Sequence, residues 1–185
     1  MPGFDRLTLR TERLRLRPLS AADAPALFAI FSEPRITRYW ATPAWAGIDQ
    51  ADAFIARDLA AMLAGEYLRL GLERIDDGAL IGQCTLFNFA PQSRRAELGY
   101  AMAVGAWGRG YMHEALVALL DHGFGTLQLH RVEADIDPRN AASARSLERL
   151  RFQREGLLRE RWIVAGEVSD TALYGLLAHE WLARP

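Results

Sequence analysis

Between positions 13 and 18 the chain alternates arginine with leucine, so Leu14 and Leu16 share one face of an extended segment and three arginines share the other. That alternation predicts a half-exposed strand. Past Ser20 the apolar period lengthens. Leu27, Ile30 and Phe31 recur at helical spacing, which predicts a helix over 21–32 that Pro34 stops. A second helix is expected over 49–63 on the stripe Phe54, Ile55, Leu59 and Met62. The loop between them carries Tyr39, Trp40 and Trp45, which serve either as a lid on a pocket or as anchors on the domain. After Gly65 the two-residue period returns over 67–74, 79–88 and 94–104, and Asp76-Asp77-Gly78 turns the first pair into a hairpin, giving an antiparallel meander. A Gly-rich turn leads to a helix over 112–123, then a strand over 131–136 and a helix over 143–150. Two closing strands, 152–164 and 169–177, turn at Ala165-Gly166.

Composition narrows what such a chain can do. With 185 residues, 50% of them apolar and 24% charged, it suits one compact domain over 1–185. No uncharged apolar run approaches the roughly 20 residues of a membrane helix, and the arginines at 6, 10, 13, 15 and 17 interrupt any signal-peptide core, so a cytoplasmic protein without membrane contact is expected. Cys84 is the single cysteine and lies in an apolar run, which predicts a buried structural thiol and excludes an internal disulfide or a thiolate-rich zinc site. The chain contains no lysine. That removes P-loop phosphate binding, pyridoxal chemistry and Schiff-base catalysis. A formal net charge of -1 supplies no basic field for nucleic acid. His113, His122, His130 and His179 lack metal-ligand spacing with carboxylates, so no metal is expected, and neither a hydrolase elbow nor a metalloprotease motif is present.

The sharpest local signal is Gly105-Ala106-Trp107-Gly108-Arg109-Gly110-Tyr111-Met112-His113-Glu114-Ala115, between a strand and a helix. Glycines at 108 and 110 remove Cβ atoms that would block close approach. The following helix offers unpaired N–H groups and a positive dipole end, together suited to a pyrophosphate. A dinucleotide fingerprint beginning at Gly108 fails, because His113 stands where Gly or Ala is required.

This loop, Ala96-Glu97-Leu98-Gly99-Tyr100 before it and Asn140-Ala141-Ala142-Ser143 after the next strand resemble the GNAT superfamily of N-acetyltransferases. The opening Thr11-Glu12-Arg13-Leu14-Arg15-Leu16-Arg17-Pro18 and the closing Asp170 with Tyr174-Gly175-Leu176-Leu177 are similar to its RimJ/RimL-like branch. The resemblance spans nearly the whole chain. It implies an α/β (α+β type) fold with a mixed, mostly antiparallel twisted sheet of about seven strands, helices on both faces, and a splay between two central strands that admits acetyl-CoA. It further implies that Trp107, Gly108, Arg109, Gly110, Tyr111, Met112 and His113 surround the pyrophosphate, although Met112 stands where the family keeps a small residue. Met102 and Val104 would border the pantetheine arm along the strand, and Asn140 would anchor a CoA amide unless it is merely a turn residue. Glu97 matches the strand carboxylate that acts as base, its other reading being a surface charge paired with Arg94 or Arg95. Leu147 stands where many members place a tyrosine acid. The thiolate would then be served by Ser143, whose alternative role is a helix cap, or by Tyr174. Arg151 stands where a glycine is usual.

The expected reaction is acetyl transfer from acetyl-CoA to an amine, a protein N-terminal α-amine in the branch it resembles or else a small-molecule amine. Specificity is expected from the loops over 35–48 and 162–170. A non-catalytic CoA sensor and a CoA-free interaction module are the rival readings, and monomer and homodimer are equally open.

Overall fold

The computed structural model describes residues 3–184. Eight strands form one sheet in the order β1-β2-β3-β4-β5-β6-β8-β7: β1 (Leu9–Arg10), β2 (Leu14–Arg17), β3 (Leu68–Arg74), β4 (Leu80–Ala90), β5 (Arg95–Met102), β6 (Arg131–Ile136), β7 (Gln153–Val164) and β8 (Glu167–Leu177). The helices are α1 (Ala24–Phe31), α2 (Pro34–Thr37), α3 (Asp49–Leu63), α4 (Tyr111–Asp121), α5 (Ala141–Arg149) and α6 (Ala178–Leu182). The strand beyond the expected seven is β1, a two-residue edge piece too short to leave an alternation pattern.

Local chemistry explains the remaining shifts of boundary. The first helix opens as a short 3₁₀ turn over Ala21–Asp23, where the Asp23 carboxylate accepts from the Ser20 amide at 2.7 Å. Pro34 ends one helix and begins another. Proline at N1 loses no hydrogen bond, and Glu33 caps the new turn by accepting from the Arg35 amide at 3.1 Å. α4 closes at Asp121 and passes into a wider turn in which the Leu127 amide donates to the His122 carbonyl at 3.0 Å.

Each face of the sheet carries its own core. Leu68, Leu70 and Leu72 of β3 and Leu86 of β4 pack with Leu116, Leu119 and Leu120 of α4 and Leu147 of α5. On the opposite face Leu27, Ile30 and Phe31 of α1 pack with Ala51 and Ile55 of α3. The strand alternation that puts leucine on one face puts Arg69 and Glu73 on the other. Cys84 is fully buried, and burial pushes its thiol up to about 12.

One feature of the register opens the molecule. β5 pairs in parallel with β6 only over Arg95↔Arg131, Ala96↔Val132 and Glu97↔Glu133. Beyond that point β5 stays with β4 as far as Gly82↔Met102, and β6 stays with β8 as far as Ile136↔Ala172. The two half-sheets diverge, and the backbone from Leu98 onward has no strand partner on the β6 side.

Candidate active site

Two cavities meet in this divergence. One, of about 740 Å³, lies under the start of α4 and is walled by Met102, Trp107, Gly108, Gly110, Tyr111, Met112 and His113 on one side and by α5 on the other. Its charged lining is Arg35, Arg38, Arg139, Arg145 and Arg149 without a carboxylate. The second, of about 570 Å³, opens on the other side of the splay and is bordered by the 37–43 loop, Phe87, Glu97, Gly99 and the β7–β8 hairpin. It carries the carboxylates of Glu97, Asp135, Asp137 and Glu167 and the guanidinium groups of Arg38, Arg139 and Arg161. Arg38, Tyr39, Trp40, Tyr100, Arg139, Asn140 and Ser143 belong to both walls and form the throat between them.

The glycine loop turns on two left-handed residues. Gly108 and Gly110 have φ of +73° and +81°, a left-handed backbone that side chains rarely adopt, and Gly110 is the residue from which α4 starts. A Cβ on Gly108 would meet nothing within 4 Å, whereas one on Gly110 would sit 3.4 Å from the Arg13 guanidinium. Arg13 secures the loop from the β2 side. Its Nη1 donates to the Arg109 carbonyl at 3.0 Å, its Nε donates to Glu114 at 2.7 Å, and its guanidinium lies 4.6 Å from the Tyr111 ring centre. Glu114 also accepts from the Thr11 hydroxyl at 2.6 Å and the Arg13 amide at 2.8 Å. Burial alone would raise the Glu114 carboxyl, but the bonds from Thr11 and Arg13 outweigh it and hold the group below its usual range. Sequence patterning gave Arg13 only as an exposed strand charge. Its pairing with Glu114 joins residues 101 apart and leaves no local trace.

Most of the residues expected around CoA line the first cavity, but Val104 and Arg109 do not: the Val104 side chain packs on the α1 core and Arg109 offers its carbonyl to Arg13. The end of β5 is also less free than expected. The Met102 carbonyl accepts from the Trp107 indole at 2.8 Å, and the Ala103 amide donates to Ile81 at 2.8 Å, so the unpaired edge lies upstream, from Leu98 to Ala101. Asn140 caps α5, its side-chain oxygen accepting from the Ser143 amide at 3.1 Å. Ser143 is therefore not the cap; it sits in the first turn and borders both cavities. Tyr174 is 4% exposed in the core and lines neither cavity.

Glu97 faces the second cavity, with the nearest Arg95 nitrogen at 3.7 Å. That arginine is committed elsewhere, to Glu133, which in turn accepts from Arg131 at 2.8 Å. Asp137 is held below the usual carboxylate range by the Arg139 guanidinium, which also reaches Glu167 on the hairpin at 2.6 Å. Trp40 and Trp45 pack edge-on and stacked against Phe31, at 5.1 and 4.6 Å between ring centres, so the aromatic loop is anchored while Trp40 still borders the throat.

A family model for the acetyltransferase (GNAT) domain matches residues 13–153. The chain belongs to the GNAT family. Over 174 residues, 94% of this chain and 98% of the relative, it is 34% identical to p20, an uncharacterized N-acetyltransferase of Bacillus licheniformis. It is 31% identical to the [ribosomal protein uS5]-alanine N-acetyltransferase of Escherichia coli over 118 residues, 63% of this chain and 61% of that one. Mycobacterium smegmatis RimJ, solved in complex with CoA-disulfide, superposes with a TM-score of 0.85 at 27% identity, covering 99% of this chain and 97% of the other. This GNAT chain is an acetyl-CoA-dependent acyltransferase of the RimJ/RimL-like kind. Among the described residues no helix is long and apolar enough to cross a membrane, and no cluster of three or more His, Cys, Asp or Glu could hold a metal.

Proposed function

We propose that the arginine-lined cavity takes the phosphates of acetyl-CoA, that the carboxylate-bearing cavity takes the acceptor, and that the acceptor is a protein N-terminal α-amine. The observation that carries this reading is the uneven charge of two cavities sharing one throat: arginines without a carboxylate on one side suit a polyanion, and carboxylates that outnumber arginines on the other suit an ammonium. The glycine loop and the amides of α4 would hold the pyrophosphate, with Arg145 and Arg149 free to meet further phosphate oxygens. Acetyl-CoA supplies the activated acyl group. Glu97 takes a proton from the arriving ammonium, leaving a neutral amine to attack, and the unpaired edge from Leu98 to Ala101 offers main-chain N–H groups to the thioester oxygen.

Acceptor choice follows from the cost of that deprotonation. An α-amine near pKa 8 loses its proton for roughly 3 kcal/mol less than a lysine amine near 10.4, within reach of a partly solvated carboxylate. The similarity to the alanine N-acetyltransferase of E. coli supports the same choice.

The test is an acceptor screen with acetyl-CoA over N-terminal peptides, polyamines and aminoglycosides. Peptide acetylation confined to the α-amine is the expected result. Turnover only with a polyamine or aminoglycoside would replace the peptide by a small molecule. CoA binding seen by thermal shift, with no turnover on any acceptor, would make the protein a sensor.

A further inference from the structure

We propose that the Tyr100 phenol hands a proton to the departing CoA sulfur. This rests on the assignment of the two cavities above and adds a catalytic residue to it. The proton donor must stand at the throat, because sulfur leaves on the arginine side while nitrogen arrives from the carboxylate side. Of the side chains common to both walls, Tyr39, Tyr100 and Ser143 carry hydroxyls; Arg38 and Arg139 can donate hydrogen bonds but not give up a proton. Tyr39 belongs to a loop, its ring covered by Arg38 at 5.3 Å and Arg139 at 5.8 Å. Tyr100 projects from β5, the strand whose unpaired edge begins at Leu98, and its hydroxyl donates to the Ser143 carbonyl in the first turn of α5 at a long 3.4 Å. A bond of that length is readily exchanged for a stronger, charged acceptor.

The opposing helix leaves this task open. Leu147 is fully buried against the core and offers no hydroxyl, and Tyr174 lies beneath the sheet surface. A free phenol near pKa 10 and a free thiol near 8.5 differ by about 1.5 units, a gap of about 2 kcal/mol, and burial moves both groups in the same direction. Burial raises Tyr100 and outweighs its bonds to Ser143 and Ser146, so the phenol is protonated at working pH. The step balances. Nitrogen bonds to the acetyl carbon, the carbon–sulfur bond breaks with its electron pair going to sulfur, and the Tyr100 O–H proton goes to that sulfur. The ammonium has meanwhile released two protons, one to Glu97 and one to water, and the phenolate recovers its proton from water as CoA leaves.

Two measurements test this. Tyr100→Phe should lower kcat roughly 10²-fold with little change in the KM for acetyl-CoA, the low end for a general acid. By calorimetry between about pH 7 and 9.5, wild type should bind CoA increasingly more tightly than desulfo-CoA as pH rises, because the phenol stabilises the thiolate, and Tyr100→Phe should lose that preference. A wild-type kcat in Tyr100→Phe, or the same loss appearing in Ser143→Ala or Tyr39→Phe instead, overturns the assignment. Should Tyr100→Phe not fold, equal wild-type affinity for CoA and desulfo-CoA at every pH overturns it alone. If wild type binds neither nucleotide, the cavity assignment itself fails.

Discussion

At the scale of single residues, two side chains separate chemistry from architecture. Glu97→Gln keeps size and removes the proton acceptor, so turnover should fall roughly 10²-fold near neutral pH and recover in part at alkaline pH, where free amine is abundant. Acetyl-CoA affinity should barely move, because Glu97 borders only the second cavity. Wild-type rates across the pH range would make it an ordinary strand charge beside Arg95. Arg151 is the opposite case. The Arg151 amide donates to Glu148 at 2.9 Å and the Phe152 amide to Leu147 at 3.0 Å, the pattern of a helix ended by a left-handed residue, and Arg151 has a φ of +68°. The position that stood out in sequence is thus a glycine position occupied by arginine. Arg151→Gly should stabilise the protein by about 1 kcal/mol, relief of backbone strain exceeding the extra entropy of the unfolded chain, and an unchanged urea midpoint would count against it.

At the scale of elements, the start of α4 depends on a strand far away in sequence. Gly110→Val should weaken acetyl-CoA binding at least tenfold, because a β-branched valine resists a φ of +81° and would force the loop backbone out of place. Titration calorimetry showing unchanged affinity would dismiss the loop. The clamp beneath it is testable by pH. Glu114 has a depressed folded pKa, so its contribution is present above the unfolded value of about 4.3 and disappears as pH falls through the folded one. Glu114→Gln should cost about 1–2 kcal/mol at neutral pH, the worth of charged hydrogen bonds at a half-exposed site, and nothing once wild-type Glu114 is protonated. An equal difference at both ends of that range would show that the loss is packing. Local signals of this kind were readable in part: the glycines announced the left-handed turn that opens α4, and Asn140-Ala141-Ala142-Ser143 announced the turn into α5. The sequence left open whether Ser143 caps or reacts, because the two roles ask for the same residue, and only geometry showed that Asn140 accepts from the Ser143 amide.

Across the whole molecule, periodicity made the helices and strands legible because period two and period 3.6 are imposed by the backbone itself. The divergence of β5 from β6 leaves no such mark in either strand and was reached only through resemblance to a family. The tie between the α3 layer and the sheet also leaves no mark in either element. Asp58 of α3 and Arg69 of β3 form an ion pair in which both side chains are 7% exposed, with the guanidinium 4.0 Å from the Phe54 ring centre. Nothing in the sequence marks the pair, because only packing removes both charges from water. Arg69 also donates to the Tyr67 hydroxyl, yet its Nε lacks a partner, as do Gln83 Oε1 and Thr85 Oγ1 nearby in the sheet. Incomplete satisfaction sets the sign of the last prediction. Asp58→Ala leaves a buried, uncompensated guanidinium and should cost about 3–5 kcal/mol. Replacing both partners, Asp58→Leu with Arg69→Met, removes two desolvated charges and an orphaned N–H together, and should be neutral or stabilising by about 1–4 kcal/mol. Urea denaturation of the two single variants and the double variant decides between these accounts. A double variant as unstable as the worse single one would show that the pair itself holds α3 on the sheet, and with it the Trp45–Phe54 contact that anchors the aromatic loop.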